Sequence, residues 1–590
     1  MIRTTACALD CYDACKIKVT EGMFPKMTGD NEHPAGDGSL CTFLNRSIHN
    51  EVRIEKPRVN GVEVSMDEAM HAVCSAFKKE TSLFWRGSGN MGVMQEVTNL
   101  FLERMNGTLT HGSLCDGAGD AGIVAGRGVN RVLPLEQIKE ADTIVIWGRN
   151  VTVTNAHIMP FLAEKNTVVI DPVNTAIAKK SECHLQIQPC SDIYVALVLA
   201  RILVMEDRQD NKWLEKFAPD YKAFFDFISE FKMSSFLGYC GVDLEEVKAI
   251  IPYLCDKKVV FLVGTGVQKY TTGNAVLHAI DSLAATLGIF GKKGCGVHYL
   301  SNSKLGFDNP FEVVCKTVSK VTTEFSDFDT VLVQGGNPAE SMPDSTRVCK
   351  SLEKVENLIY FGLYENETSK RANIVIPAKN FFEKEDVRLS YGHHYVEKMN
   401  KIVDSHIGMS EYAFTQYLFD AFRLEGLESE EHYIRFWLNQ CKEEDGNYVS
   451  AGFEEIPYAE GFGEGGNEPF VFIKKLDDRF FHATDVDKRF YLLSSKTSKA
   501  LNTQFKRDTK IQIHPKVGYL EGDKVKISSS YGVVELEVVL NENIRSNCVL
   551  VTSNTLGVNF LTPSIESDEG ENACYQEVKI KIEKTEGYIK

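Results

Sequence analysis

Short apolar runs recur along the chain, and most end in glycine, asparagine, aspartate or serine. Thr81-Ser-Leu-Phe-Trp85 leads into Arg86-Gly87-Ser88-Gly89-Asn90-Met91-Gly92. Asp142-Thr-Ile-Val-Ile-Trp147 ends in Gly148-Arg149-Asn150, and Thr167-Val-Val-Ile170 in Asp171-Pro172. Leu185-Gln-Ile-Gln ends in Pro189-Cys190-Ser191-Asp192, Lys258-Val-Val-Phe-Leu-Val263 in Gly264-Thr265-Gly266, and Thr330-Val-Leu-Val333 in Gln334-Gly335-Gly336-Asn337. Asn357–Gly362 and Ala372–Pro377 continue the series. Stretches of helical period lie between them: Met66–Lys79, Val93–Met105, Ile193–Met205 and Ala275–Leu287. Buried apolar strands alternating with helices predict an α/β chain whose parallel sheets are covered on both faces. Open sheets of this kind bind ligands at the C-terminal ends of their strands.

The rhythm changes from Arg489. Phe490–Leu493, Lys510–Ile513, Lys524–Ser528, Gly532–Val539, Cys548–Thr552 and Gln576–Ile582 are short β runs separated by turns, which predicts a small C-terminal β-barrel. Glu425–Gly466, acidic and glycine-rich in parts, reads as a surface segment or domain boundary.

A chain of 590 residues has room for several domains. Its net charge of −17, from 65 basic and 82 acidic residues, argues against nucleic acid as a partner. No charged-then-apolar leader precedes Cys7, and the apolar run near Tyr194–Met205 contains Arg201 and is too short for direct membrane insertion. The expectation is a cytoplasmic protein, in which the sixteen cysteines are thiols or ligands rather than disulfides.

Three cysteines, Cys7, Cys11 and Cys15, stand at steps of four, with Cys41 farther on. A [4Fe-4S] cluster needs one thiolate for each iron, and a compact loop plus one distant cysteine supplies that set. A structural zinc site, which favours two tight pairs, and unrelated buried thiols are the alternatives. Gly87-x-Gly89-x-x-Gly92 follows a strand and precedes a helix, as a dinucleotide fingerprint does. The acidic residue expected about 20 positions later is missing, so a plain glycine turn is the stronger reading.

In this order the motifs resemble the molybdopterin oxidoreductase family of the dimethyl sulfoxide reductase type, over nearly the whole chain. Cys7-x3-Cys11-x3-Cys15-x25-Cys41 is similar to the family's N-terminal cluster loop. Asp171-Pro172 with Pro189-x-Ser-Asp192 resembles its central signature. Gly336-Asn337-Pro338, Glu367-Thr368, Asn373–Ala378 and Glu383-x-x-Asp386 follow in family order. Leu493–Lys496, Leu501-Asn502, Gly522-Asp523 and Val558–Thr562 resemble the pterin-binding barrel. The resemblance implies a cluster domain at 1–50 and a discontinuous first Rossmann-like domain at 51–135 and 356–480. It implies a second Rossmann-like domain at 136–355 and a six-stranded-type barrel at 481–590.

It also implies two cofactors, a [4Fe-4S] cluster and molybdenum (or tungsten) bis-molybdopterin guanine dinucleotide. Gly148, Arg149, Asn150, Asp171, Asp192, Gly266, Gly336 and Asn337 would line one pterin half, and Ser494, Lys496, Asn502 and Asn559 the other. Cys115 is the expected protein ligand to the metal, with Ser113 as the runner-up, Asp116 as an adjacent acid or base or a helix cap, and His111 as a donor to substrate. Phe43 stands where many relatives carry a lysine, and Arg46 would replace it only by reaching back. Val173-Asn174 replaces the usual Arg, and Cys190 replaces a Gly. The implied activity is two-electron transfer of an oxygen atom, sulfur atom or hydride on a small-molecule substrate, with electrons passing to an electron-transfer protein or subunit. The alternative is an electron-transfer or scaffold subunit of the same fold that has lost the metal.

Overall fold

The computed structural model of the chain describes residues 2–20, 26–36, 38–49, 52–481 and 489–585. They form two compact units: Met1–Gly112 with Ser303–Phe453 and Ser498–Lys506, and Ser113–Asn302 with Glu454–Thr497 and Arg507–Lys590.

In the first unit, Ser65 starts the helix Met66–Ala76 by a reciprocal cap with Glu68, each side chain taking the other's backbone N–H. The strand that follows, Ser82–Arg86, lies inside an eight-stranded sheet. The parallel strands run in the order Lys316–Ser319, Thr108–His111, Ser82–Arg86, Thr330–Gln334, Asn357–Gly362, Ile374–Pro377. An antiparallel hairpin, Arg58–Val59 and Val62–Glu63, closes the far edge. Helices Met66–Ala76, Thr98–Arg104 and Glu411–Phe422 pack Met70, Phe101 and Phe414 against Phe84, Leu332 and Phe361 of the sheet.

Three sequence expectations need correction here. The span 136–355 does not hold together as one domain, because Thr330–Gln334 hydrogen-bonds to both Ser82–Arg86 and Asn357–Gly362 and so belongs to the first sheet. Val93–Met105 is not one helix: a 3-10 turn, Val93–Glu96, precedes the α-helix Thr98–Arg104. The Asp386 carboxylate fixes that tight turn by accepting the Met94 N–H at 3.0 Å. The third is corrected only in part: a unit boundary falls inside Glu425–Gly466, between Phe453 and Glu454, but the segment is only partly surface. Its helix Glu430–Asn439 buries Tyr433, Ile434 and Trp437 on one face while Glu431 stays outside, and Asn447–Val449 pairs with Tyr395–Met399.

The cysteine loop is the turn of an antiparallel hairpin, Ile2–Ala6 with Lys16–Thr20, joined by a third strand, Lys26–Gly29. The Cys7 N–H donates to the Cys15 carbonyl at 2.9 Å and closes the loop at its base.

The second unit holds a five-stranded parallel sheet in the order Cys183–Leu185, Asn166–Ile170, Thr143–Trp147, Val259–Val263, Gly296–His298. The helix Asp192–Met205 is apolar almost all round, and its buried residues cover nearly its whole circumference. No helix among the described residues is long and apolar enough to cross a membrane. The six predicted β runs close into a barrel: Phe490–Ser495, Lys510–Ile513, Lys524–Ser528, Val533–Leu540, Cys548–Thr552 and Lys579–Lys584. Residues alternate in and out of its core, as Val525 and Ile527 do between exposed lysines.

Candidate cofactor and metal sites

Each parallel sheet has a point where its connections leave in opposite directions. In the first unit it lies between Ser82–Arg86 and Thr330–Gln334, and in the second between Thr143–Trp147 and Val259–Val263. Crevices at such points take ligands.

The first crevice is tightly built. The Gly87 N–H donates to the Gln334 carbonyl at 2.9 Å and the Gly89 N–H to the Gly335 carbonyl at 2.8 Å. A Cβ on Gly87 or Gly89 would meet the Gly335 oxygen at 2.5 Å, and one on Gly92 would strike the Asp386 carboxylate at 1.8 Å. The fingerprint glycines therefore let two strand ends touch, which is the glycine-turn reading. Gly336 packs on the Trp85 ring, and Asn337 is buried, donating to Glu340 at 2.6 Å and accepting from Thr368 at 3.0 Å.

The second crevice gathers six of the expected residues. Gly148, at φ +55°, is followed by Arg149 and Asn150, and Gly264 and Gly266 face the Gly148 carbonyl. Arg149 is buried, bonded to Asn155 at 2.8 Å and to the His298 ring at 3.0 Å. Asp192 accepts from the Trp147 indole at 2.8 Å, and Asp171 takes the Val173 N–H at 2.8 Å. Burial pushes the Asp171 carboxyl up to about 7, helped by the Asp192 charge, and burial lifts Asp192 to about 6. Two neighbouring buried carboxylates are suited to accept from a donor-rich ligand. Cys190 adopts φ +65°, a conformation that glycine takes without strain and that a cysteine adopts at a cost.

Gln268 and Lys269 follow the same crevice strand, and both hold the loop that carries Cys115. The Gln268 amide accepts from the Gly119 N–H at 3.0 Å and donates to the Cys115 carbonyl at 2.7 Å. Lys269 donates to the Leu114 carbonyl at 2.7 Å and lies 5.2 Å from the Tyr575 ring centroid. Burial lowers the pKa of Lys269, and the charge of Cys115 acts against that shift. Cys115 is the one exposed residue among the sixteen cysteines. The Ser113 hydroxyl is already engaged, taking the Cys115 and Asp116 N–H groups at 2.9 and 3.1 Å and donating to the Asp116 carboxylate at 2.9 Å. Asp116 occupies the N-cap position of the helix Gly117–Arg127, but its side chain caps nothing there. His111 ends the strand Thr108–His111 in the first unit.

Lys496 is exposed on the barrel, and its charge is felt by Lys269. The Ser494 carbonyl accepts from Gln576 at 3.4 Å, and Asn559 sits in the turn Val558–Phe560, where it accepts from Thr562. Asn502 lies in the first unit at φ +50° and donates to Asp10 of the cysteine loop at 2.9 Å.

The four N-terminal cysteines share one region of the first unit. Burial pushes the Cys7 thiol up to about 12, with the Cys41 charge adding to it, and Cys11 and Cys15 are raised by burial and then by Asp13. The N–H groups of Leu9, Asp13, Phe43 and Leu44 point at these sulfurs and favour the thiolate form. Among the described residues no group of three or more His, Cys, Asp or Glu is arranged to hold one metal ion. Beneath the loop, the Arg388 guanidinium, 1% exposed, donates to the carbonyls of Cys7, Leu9 and Cys11 at 3.2 to 3.3 Å. His393 contacts the Asp13 carbonyl at 2.9 Å. Phe43 stacks on Phe505, and Arg46 turns away to the Ser498 carbonyl at 2.9 Å.

Arg388, Gln268 and Lys269 were not legible as site residues from sequence. Each is a lone polar residue, and only tertiary packing shows what it holds.

The chain resembles known proteins over most of its length. It is 26% identical to the probable oxidoreductase YyaE of Bacillus subtilis over 68% of this chain and 66% of that protein. It is 23% identical to the probable oxidoreductase YoaE of the same organism over 98% of both. Thus it spans about two thirds of the first relative and nearly all of the second. Among solved structures, acetylene hydratase from Pelobacter acetylenicus superposes with a TM-score of 0.76 over 99% of this chain and 100% of that one, at 12% identity, a likeness of fold. The family model of the molybdopterin oxidoreductases matches residues 53–409, more than half of the sequence, so the chain belongs to the molybdopterin oxidoreductase family.

Proposed function

We propose that the chain is a molybdenum or tungsten bis-molybdopterin guanine dinucleotide oxidoreductase carrying one [4Fe-4S] cluster. The observation that carries this reading is Cys115: an exposed thiol on a loop fixed by Gln268, Lys269 and Ser113, beside a switch-point crevice. A thiolate at this place would hold the metal in a sulfur-rich sphere. The bound cofactor would supply two-electron oxo, sulfur or hydride chemistry.

The chain's own residues would do the rest. Cys7, Cys11, Cys15 and Cys41 would ligate the cluster, with inward amides and the Arg388 charge favouring thiolates against the burial that opposes them. Asp171 and Asp192 would accept from guanine, and Gly148, Arg149, Asn150 and Gly266 would bring backbone close to the dinucleotide phosphates. Gly336 and Asn337 would serve the first crevice, and Ser494, Lys496 and Asn559 the barrel side. Asn502 would complete that barrel-side set, while its amide also holds Asp10 of the cysteine loop. Asp116, its N–H and carboxylate both tied to Ser113, would stand as the acid or base next to the metal ligand, and His111 would donate to substrate. Electrons would leave through the cluster to a protein partner.

A second reading, an electron-transfer subunit without the metal, draws on Phe43. Its ring stacks on Phe505, and Arg46 does not replace the missing cation there. Metal analysis of anaerobically purified protein separates the two. About four irons with one Mo or W per chain support the enzyme. Iron without Mo or W, from a host able to make the cofactor, supports the second reading. Zinc alone would overturn both.

A further inference from the structure

Three cations converge at the C-terminal end of the first unit's sheet. Arg86, the last residue of its strand, reaches one oxygen of the buried Glu96 carboxylate at 2.8 Å. Lys304 pairs with the other oxygen, which also accepts from the Asn309 amide at 3.0 Å. Lys320 directly follows Lys316–Ser319, with its N–H on the His111 carbonyl at 2.8 Å. Its ammonium donates to the Arg86 carbonyl at 3.0 Å and lies 5.5 Å from the Trp85 ring centroid. One buried carboxylate therefore pairs with two of the cations, and the third sits on the Arg86 backbone. Burial, and then the Arg86 charge, pushes both lysines down to about 7, and Glu312 opposes the shift at Lys304. Crowded like charges in a partly buried place are relieved when an anion enters. All three side chains keep some exposure, so a solute reaches them.

The cluster borders the glycine crevice: Arg86 ends one of the two strands that form it, and Gly336 packs on the Trp85 ring, whereas Lys320 follows the edge strand on the other side of Thr108–His111. The Trp85 indole N–H, buried and without a hydrogen-bond partner, lies in the ring beneath Lys320.

We propose that Arg86, Lys304 and Lys320 form a site for a free oxyanion, an inorganic oxyanion or small carboxylate of the size of nitrate, sulfate or formate. That this anion is the substrate or product rests on the proposed function; the binding itself does not. Guanidinium and ammonium donors held around one point suit planar or tetrahedral oxygen arrays.

The test is calorimetric titration of the pterin-loaded protein with sulfate, nitrate and formate in chloride-free buffer. Trp85 emission is followed in parallel, with Trp85→Phe identifying its share of the signal. At least one anion is expected to bind, at least ten-fold more weakly in Lys320→Met and in Lys304→Met, while Lys320→Arg retains binding. Unchanged circular dichroism and metal content guard against misfolding. No binding to wild type, or equal binding by both methionine variants, would overturn the site. Sulfate binding confined to pterin-free protein would also overturn it, because the cluster would then belong to a cofactor phosphate. Metal content stands apart from all these readings, so absence of Mo or W sinks the proposed enzyme and leaves anion binding to be judged alone.

Discussion

Arg388 donates its Nε to the Cys7 carbonyl at 3.2 Å, from a strand separated from the cysteine loop by most of the chain. The same guanidinium reaches Leu9 and Cys11, so one buried cation organises the first half of the turn between Cys7 and Cys15. Replacing Arg388 by Met leaves those carbonyls unpaired in a buried place, at a cost of about 3 kcal/mol or more. Arg388→Met is expected to lower the unfolding midpoint and the iron bound per chain together. Arg388→Lys, which keeps the charge but loses the fork, should fall between. Iron content equal to wild type in Arg388→Met would show that the loop does not need this support.

Cys115 sets the opposite expectation. Its side chain is exposed and fills no core, so Cys115→Ser should change stability by no more than about 0.5 kcal/mol. Metal analysis and dye-linked turnover are expected to show reduced Mo or W retention and loss of activity, with iron unchanged. Wild-type turnover in Cys115→Ser would remove Cys115 from the metal site.

The barrel and the parallel sheets were legible because each strand carries its own pattern, alternating in Lys524–Ser528 and continuously apolar in Val259–Val263. The grouping of strands was not. Thr330–Gln334 looks like its neighbours in sequence, and only its pairing with Ser82–Arg86 assigns it to the first sheet. Lys316–Ser319, short and at an edge, has Val318 as its one apolar residue and so gives no run to read. In the candidate sites, residues at strand ends such as Gly148 and Asp171 could be named from position. Arg388 and Gln268 could not, because their partners are backbone carbonyls distant in sequence.

Asp171 and Asp192 predict a pH dependence in the pterin-free protein. Both carboxyls are raised by burial, to about 7 and about 6, above their ordinary value. The folded state thus binds more protons than the unfolded chain between about pH 4 and pH 7. Their contribution is full below the unfolded value and is lost as pH rises through the folded one, at ~1.4 kcal/mol per pH unit for each group within its window. Denaturant unfolding at pH 5 and pH 8 should show less stability at the higher pH. Asp171→Asn and Asp192→Asn, which keep an oxygen acceptor, should each flatten the slope. Identical slopes in wild type and variants would contradict this.

Gln268 offers the sharpest test of how the Cys115 loop is held. Its side chain is fully buried and uses both ends, the oxygen on the Gly119 N–H and the nitrogen on the Cys115 carbonyl. Leucine is close in volume but leaves both backbone groups without a partner, a cost of about 2 kcal/mol or more. Gln268→Leu should therefore lose stability in denaturant and exchange the Gly119 amide hydrogen faster. Gln268→Glu retains the acceptor for Gly119 but sets a carboxylate against the Cys115 carbonyl. It should protect Gly119 better than leucine does while still loosening Cys115, seen as faster alkylation of that thiol in metal-free protein. If alkylation and exchange match wild type in both variants, the loop is positioned by Lys269 and Ser113 alone.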